Sequence, residues 1–213
     1  MMPKVMTGGE SAEFLRKIVP VCKGVIVKDV EEALKFGKKI GYPVVLKILS
    51  KSALHKTEIK GVRIASDEAG SRKEFEILVK IANSRKLPLE GILVQEEIHG
   101  REILIGLKKD PTFGHVLVFG LGGVFVEVLK DVSFRVCPIN LEDAQEMIDE
   151  LRGKVLIYGI RKSKALNIDL LKKTMVAVSK LPSRYPAISE LDINPFILND
   201  KDGYVCDARV VWG

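Results

Sequence analysis

The chain has 213 residues, 46% apolar and 29% charged, with a formal net charge of +6. That is enough apolar sequence for one domain or two closely packed lobes around a real core, and it excludes an intrinsically disordered chain. The N-terminus lacks the apolar run of a secretion signal, no stretch is long enough to span a bilayer, and three cysteines without C-x-x-C spacing give neither a disulfide framework nor a zinc knuckle.

A cytoplasmic protein without membrane association is therefore expected. The positive charge invites a nucleic-acid partner, but its distribution argues against one. Lysine and arginine alternate with acids, as in Lys28-Asp29-Val30-Glu31-Glu32 and Ser71-Arg72-Lys73-Glu74-Phe75-Glu76, and no basic block with interleaved aromatics occurs. Glutamine is confined to Gln95 and Gln145 while Lys and Glu abound, a composition of thermophilic type.

In chain order, residues 23–27 read as a short strand. Asp29 with Glu32 caps a helix that turns Ala33, Phe36 and Ile40 inward and stops at Gly41. Residues 43–49 form a nearly continuous apolar strand, 50–60 a polar loop, and 61–65 a further strand. Ser71 and Glu74 match a capping box ahead of a helix with Phe75, Leu78, Val79 and Ala82 on one face. Strands follow over 92–98, 102–107, 116–119, 124–129 and 134–136, then a helix capped near Asn140 and another beginning near Asp169. A last strand pair, 188–198 and 204–212, flanks the turn at 199–203. This is an α+β chain in two lobes, and the irregular alternation of strands and helices does not fit a doubly wound parallel sheet.

The last hairpin carries the most chemistry. With its turn centred between Asp200 and Lys201, cross-strand partners have numbers summing to 401, which sets Asn194 opposite Asp207 and Asp192 opposite Arg209 on one face. Leu191, Ile193, Ala208 and Val210 then take the core side. An amide oxygen opposite a carboxylate suits Mg²⁺, which completes its shell with water and phosphate oxygens; cross-strand polar pairing on a wet face fits the same spacing. Asp192 and Arg209 are expected to form the adjacent ion pair, and a bulge at Pro195 would shift the alignment.

Lys47 stands inside an apolar strand, where its ammonium needs either a phosphate partner or a route to solvent. His55 lies in the polar loop among Lys51, Lys56 and Lys60; cationic neighbours favour the neutral imidazole, a competent phosphoryl acceptor, although a surface or capping histidine fits the position too. Gly120-Leu121-Gly122-Gly123 precedes a strand pattern instead of a helix, so it is no dinucleotide fingerprint, and no Walker loop occurs. Close approach of backbone to a ligand is the expected use of these glycines.

Seven blocks in this order resemble the ATP-grasp β subunit of archaeal ADP-forming acetyl-CoA synthetase: Gly41-Tyr42-Pro43-Val44-Val45-Leu46-Lys47, Leu54-His55-Lys56, Val94-Gln95-Glu96, Phe119 to Gly123, Val126 to Arg135, Glu190 to Pro195, and Cys206 to Arg209. The resemblance covers nearly the whole chain. It implies an ATP-grasp fold in which two α+β lobes clasp a nucleotide, with a small lobe over 22–93, a large lobe over 94–213 and residues 1–21 joined to the latter. It implies the reversible conversion of acyl-CoA, ADP and phosphate into acid, CoA and ATP, with Mg²⁺ and ADP or ATP bound here. A separate CoA-binding α subunit would complete an α2β2 heterotetramer. His55 would be the phosphate carrier, Lys47 a contact to nucleotide phosphates, Gln95 and Glu96 contacts to adenine, Glu102 to ribose, and Asn194 with Asp207 the Mg²⁺ ligands. Asp131 and Arg135 would lie near the transferred phosphoryl group, and Lys23 would take the place of the lysine that many relatives carry at the start of the small lobe. The run Thr57-Glu58-Ile59-Lys60-Gly61 departs from the smaller, glycine-richer run usual in the family. Another ATP-grasp ligase using an acyl phosphate, or a non-catalytic nucleotide-sensing module, would share most of these blocks.

Overall fold

A computed structural model describes residues 3–50, 59–123, 130–160 and 164–213. The chain divides into two compact units, Cys22–Glu97 and a larger one made of Met1–Val21 and Ile98–Gly213. The division falls after Glu97 instead of at the expected 93/94 boundary. The reason is that the strand Gly91–Glu96 pairs along its whole length with Val44–Leu49, and breaking it at Val94 would cut that ladder.

In the smaller unit, β2 (Gly24–Val27), β3 (Val44–Leu49), β4 (Val62–Ala65) and β5 (Gly91–Glu96) form an antiparallel sheet in the order β2-β5-β3-β4. Val27, Val44, Leu46, Ile48, Ala65, Ile92 and Val94 lie on one face and pack against α2 (Val30–Ile40) and α3 (Glu68–Ser84). Asp29 caps α2 by accepting from the Glu32 amide at 2.9 Å, and Gly41 ends it at φ +90°, a conformation that favours glycine. The capping-box expectation for α3 is corrected. Asp67 is the cap, accepting from the Gly70 amide at 2.7 Å, so the helix starts four residues earlier and Ser71 is buried within its first turn. Glu74 is engaged instead with Arg63 of β4.

The larger unit contains β1 (Lys4–Val5), β6 (Arg101–Asp110), β7 (Gly114–Leu121), β8 (Val132–Val136), β9 (Ile188–Leu198), β10 (Gly203–Val205) and β11 (Ala208–Trp212). The sheet order is β1-β11-β9-β6-β7-β8, with β10 also paired to β9, and every strand pairing is antiparallel. One face is covered by α1 (Gly8–Leu15), α4 (Leu141–Glu150), the short α5 (Val155–Tyr158), α6 (Ile168–Ser179) and the short α7 (Leu181–Arg184). Ile103, Ile105, Leu107, Leu117, Phe119 and Leu121 from the sheet meet Met147, Ile148, Leu171, Met175 and Val178 from the helices, all essentially fully buried. Each such side chain contributes about 1.5–3 kcal/mol of burial free energy. Helix α1 was not anticipated, although its capping box, Thr7 with Glu10, is legible in the sequence. Among the described residues no helix is long and apolar enough to cross a membrane. The expected strand over 124–129 lies outside the described residues.

Candidate functional site

Alternation along the smaller sheet sends Val44, Leu46 and Ile48 to the helices and Val45 and Lys47 to the opposite face. Lys47 stands between Leu93 of β5 and Val62 of β4 and is only 8% exposed. Gln95 shares that face one pair further on, opposite Val45 and Gly24. The Gln95 side-chain amide donates to the thiol sulfur of Cys22 at 3.1 Å. A Cβ on Gly24 would come within 2.8 Å of the Gln95 side chain, so Gly24 provides the room in which Gln95 lies. Cys22 and Gly24 thus position Gln95, and sequence reasoning assigned a role to neither.

Glu96 follows at the strand end, its carboxylate accepting from the Lys23 amide at 2.7 Å while Lys23 Nζ lies 3.8 Å away. The backbone closes the same pair, the Glu96 amide donating to the Lys23 carbonyl at 3.0 Å. Lys23 and Glu96 form one unit at the end of the β2–β5 ladder. His55 lies outside the described residues.

On the larger sheet the face away from the helices carries Glu190, Asp192 and Asn194 from β9, Asp207 and Arg209 from the segment opposite, and Glu102 and Gly106 from β6. The sum of 401 holds from Gly203↔Leu198 to Val211↔Glu190 and is lost at Trp212↔Ile188, where the pairing shifts by one residue. The Asn194 amide donates to the Asp207 carbonyl at 3.1 Å, and the Cys206 amide to the Pro195 carbonyl at 3.0 Å. A bulge does occur at Asn194-Pro195, but on the other side of β9. Against β6 the pairing shifts between Ile103↔Phe196 and Ile105↔Ile193. Both strands of the hairpin carry the extra residue together, so Ile193 and Phe196, and across from them Ala208 and Val205, all stay buried. Between them Asn194, exposed, and Asp207, half-buried, remain outside the core. Bulges of this kind re-aim side chains beside active sites.

The expected Asp192–Arg209 ion pair is replaced by a diagonal one, in which the Arg209 guanidinium holds the Glu190 carboxylate. Burial pushes the Asp192 carboxyl above its ordinary value, helped by the negative charges of Glu190 and Asp207 and opposed by Arg209. Glu102 is flanked by the glycine pair. The Gly122 amide donates to the Glu102 carbonyl at 2.7 Å, a Cβ on Gly122 would lie 2.9 Å from Glu102 atoms, and one on Gly123, at φ +61°, would lie 2.7 Å from its carboxylate. The close approach that demands these glycines is to Glu102.

Two expected site residues have other employment. Asp131, Ser133 and Arg135 alternate onto the helix side of β8. There the Asp131 carboxylate accepts from the amides of Arg152 and Gly153 at 2.9 and 2.8 Å, and Arg135 binds Glu150 at 2.5 Å and Glu146 at 3.1 Å on α4. Ser133 donates to the Met147 carbonyl. The hydrogen bond to Glu150, with a lesser one to Glu146, raises the Arg135 pKa further. Asp131 and Arg135 thus fasten β8 and the 152–153 turn to the helix layer.

The ATP-grasp domain family matches residues 3–211. The β subunit of ADP-forming acetate–CoA ligase I from Pyrococcus furiosus is 40% identical over 207 residues, covering 95% of this chain and 89% of the relative. The ADP-forming acetate–CoA ligase I of Archaeoglobus fulgidus is 40% identical over 88% of this chain, which spans 28% of that relative. Two solved structures of a dinucleotide-forming acetyl-coenzyme A synthetase 1 from Ca. Korarchaeum cryptofilum superpose closely. One, in complex with coenzyme A, Ca-AMPCP and HgCl+, has a TM-score of 0.94 at 37% identity over 99% of this chain and 94% of that one. The other, with coenzyme A and Mg-AMPPCP and a phosphohistidine segment pointing towards the nucleotide-binding site, has a TM-score of 0.84 at 36% identity over 99% and 93%.

Proposed function

Because the chain belongs to the ATP-grasp family, we propose that it is the nucleotide-binding subunit of an ADP-forming acyl-CoA synthetase, which converts acyl-CoA, ADP and phosphate reversibly into acid, CoA and ATP. The observation that carries this reading is the likeness to named β subunits along nearly the whole chain. The chain's share of the reaction is phosphoryl transfer between His55 and ADP. The P–N bond to the imidazole breaks as a P–O bond forms to the terminal phosphate of ADP, and the imidazole leaves neutral. Such transfers need positioning and charge neutralisation more than covalent chemistry from the protein.

The residues present fit that need. Lys47, held in the middle of a strand, would offer its ammonium to nucleotide phosphates, and Gln95 and Glu96, held by Cys22, Gly24 and Lys23, would supply an amide and a carboxylate to adenine. Glu102 offers its carboxylate to the ribose hydroxyls. Asn194 and Asp207 suit Mg²⁺: they are directly opposed outside the core on a bulged strand pair, one with an amide oxygen and one with a carboxylate. Among the described residues no group of three or more His, Cys, Asp or Glu is disposed to hold a metal, and an ion that keeps its waters and takes phosphate oxygens needs none. Bound there, Mg²⁺ neutralises charge on the phosphates. Acyl and CoA chemistry falls to a separate CoA-binding subunit, corresponding to the remainder of the longer Archaeoglobus relative.

Incubation with γ-labelled Mg-ATP tests the reading. Acid-labile, base-stable label that disappears in His55→Ala is the expected result; label persisting in that variant, or none on the wild-type chain, overturns it.

A further inference from the structure

Where the chain leaving α1 meets the start of α4 and helices α6 and α7, the larger unit carries an open groove of about 750 Å³. One wall is a single helical stripe, Lys173, Val176, Ala177, Lys180, Leu181 and Arg184, with the i, i+3, i+4, i+7 spacing of one helix face. The spacing runs on across the junction because Lys180 keeps right-handed helical backbone between α6 and α7. Lys17, Ile18 and Leu141 line the groove as well. Leu181 is buried and Ile18, Val176 and Ala177 are half-buried, whereas all four cations are exposed, so an apolar floor carries a basic rim.

The charge on that rim is unanswered. Four cations stand against one carboxylate, Glu142. Other cations of the helix layer have partners within the chain: Arg135 has Glu146 and Glu150, Arg16 has Glu13, and Lys154 and Lys172 donate to the Asp149 carbonyl and to Gln145. The side chains of Lys17, Lys173, Lys180 and Arg184 make no hydrogen bond or ion pair with any described residue. The amides at the start of α4 add nothing, since Asn140 already accepts from Glu142 and Asp143. Like charges gathered over an apolar floor are relieved by a partner that brings carboxylates and apolar side chains together. The three cations of the stripe are strung over about 16 Å of helix, which suits an extended segment better than a single small anion.

The position of the groove identifies that partner. In the Archaeoglobus relative the matched module is 28% of one chain, so the remainder of that protein is joined to the module at its ends. In this fold those ends lie side by side next to the groove. Lys4 and Val5 pair with Trp212 and Val211, and the Trp212 ring packs edge-on against Phe14 and Tyr185 at 5.7 and 6.1 Å. Tyr185 adjoins Arg184, and Phe14 lies one helical turn before Lys17.

We propose that this groove is the docking surface for an acidic, amphipathic segment of the CoA-binding subunit. This rests on the function proposed above, which divides the reaction between two such parts. Carboxylates of the segment answer Lys173, Lys180 and Arg184, and its apolar side chains cover Leu181, Val176 and Leu141, the last of which is 51% exposed in the chain alone.

The test uses the full chain with the CoA-binding subunit of the same source, comparing wild type, the triple variant Lys173→Glu, Lys180→Glu, Arg184→Glu, and Leu141→Glu. Calorimetry reads assembly, thermal melting reads the fold, and γ-labelled Mg-ATP reads phosphorylation of His55. Charge reversal is expected to weaken assembly by at least about 100-fold and Leu141→Glu by about tenfold, with melting and labelling of the chain at the wild-type level. Added salt should weaken assembly of the wild type and not of the reversed variant. If reversal lowers the melting temperature, the triple alanine variant of the same three residues decides on the same reading. Assembly of the variants at the wild-type level overturns the proposal, and so does a reversal that abolishes self-association or RNA binding while leaving assembly intact. A wild-type chain that is labelled but forms no complex also overturns it. Absence of both label and complex in the wild type would instead remove the proposed function.

Discussion

Asn194 and Asp207 face each other across the last hairpin, joined by a backbone hydrogen bond of 3.1 Å, at the one place where both strands carry an extra residue relative to β6. Because main-chain groups make that bond, the side chains can be exchanged without dissolving the ladder. Asp207→Asn and Asn194→Ala are therefore expected to melt close to wild type while Mg²⁺ affinity, read as the midpoint of a Mg²⁺ titration of ATP-dependent phosphorylation, weakens by about 100-fold. An unchanged midpoint in both variants would remove these residues from the metal site.

Lys47 is buried on a central strand among Leu, Val and Ile. Lys47→Met keeps the length of the side chain and removes its charge, and thermal melting of the variant reads the part the ammonium plays in the fold. Loss of a charge-assisted bond to phosphate costs about 1.5–3 kcal/mol, or roughly 10- to 150-fold in ADP affinity by calorimetry. A variant that binds ADP as wild type does would leave Lys47 with a structural part alone.

Arg135 is tied to α4 by Glu150 and Glu146, all partly exposed to solvent. Such pairs contribute at most about 1 kcal/mol each. Arg135→Ala should consequently lower the melting temperature by a few degrees and leave the rate of His55 labelling unchanged. A large loss of labelling with an unaltered melt would return Arg135 to the phosphoryl site.

Burial pushes the Cys137 thiol up to about 11 from an ordinary 9.0. Between those values the unfolded chain has released its proton and the folded one retains it, so this contribution to stability is intact below pH 9 and lost as pH rises through 11. The difference in urea midpoint between wild type and Cys137→Ser should narrow from pH 8 to pH 11. A difference independent of pH would show that the thiol is not held neutral by the fold.

Much of the candidate site was legible because its logic is local. Period-two alternation and one short turn suffice to set Asn194 against Asp207, and the apolar run Leu191, Ile193, Phe196, Leu198, with its spacing of three in the middle, already records the bulge. The nearly continuous apolar run over 43–49 placed Lys47 inside a strand. The early start of α3 was missed because Ser71 and Glu74 carry the capping-box pattern, whereas in the fold Asp67 caps the helix and Ser71 is buried.

The sequence by itself determined the described strands other than β1, the pairing within the last hairpin and the residue types that suit phosphate and Mg²⁺, all consequences of chain neighbours a few residues apart. Only the tertiary structure decided which face of each sheet the helices cover. That choice sends Asp131 and Arg135 to the helix layer, ties Arg209 to Glu190 instead of Asp192, and brings Cys22 beneath Gln95 from 73 residues away. Alternation states that two faces exist; which one is buried depends on where distant apolar helices find their largest burial, and no local pattern encodes that.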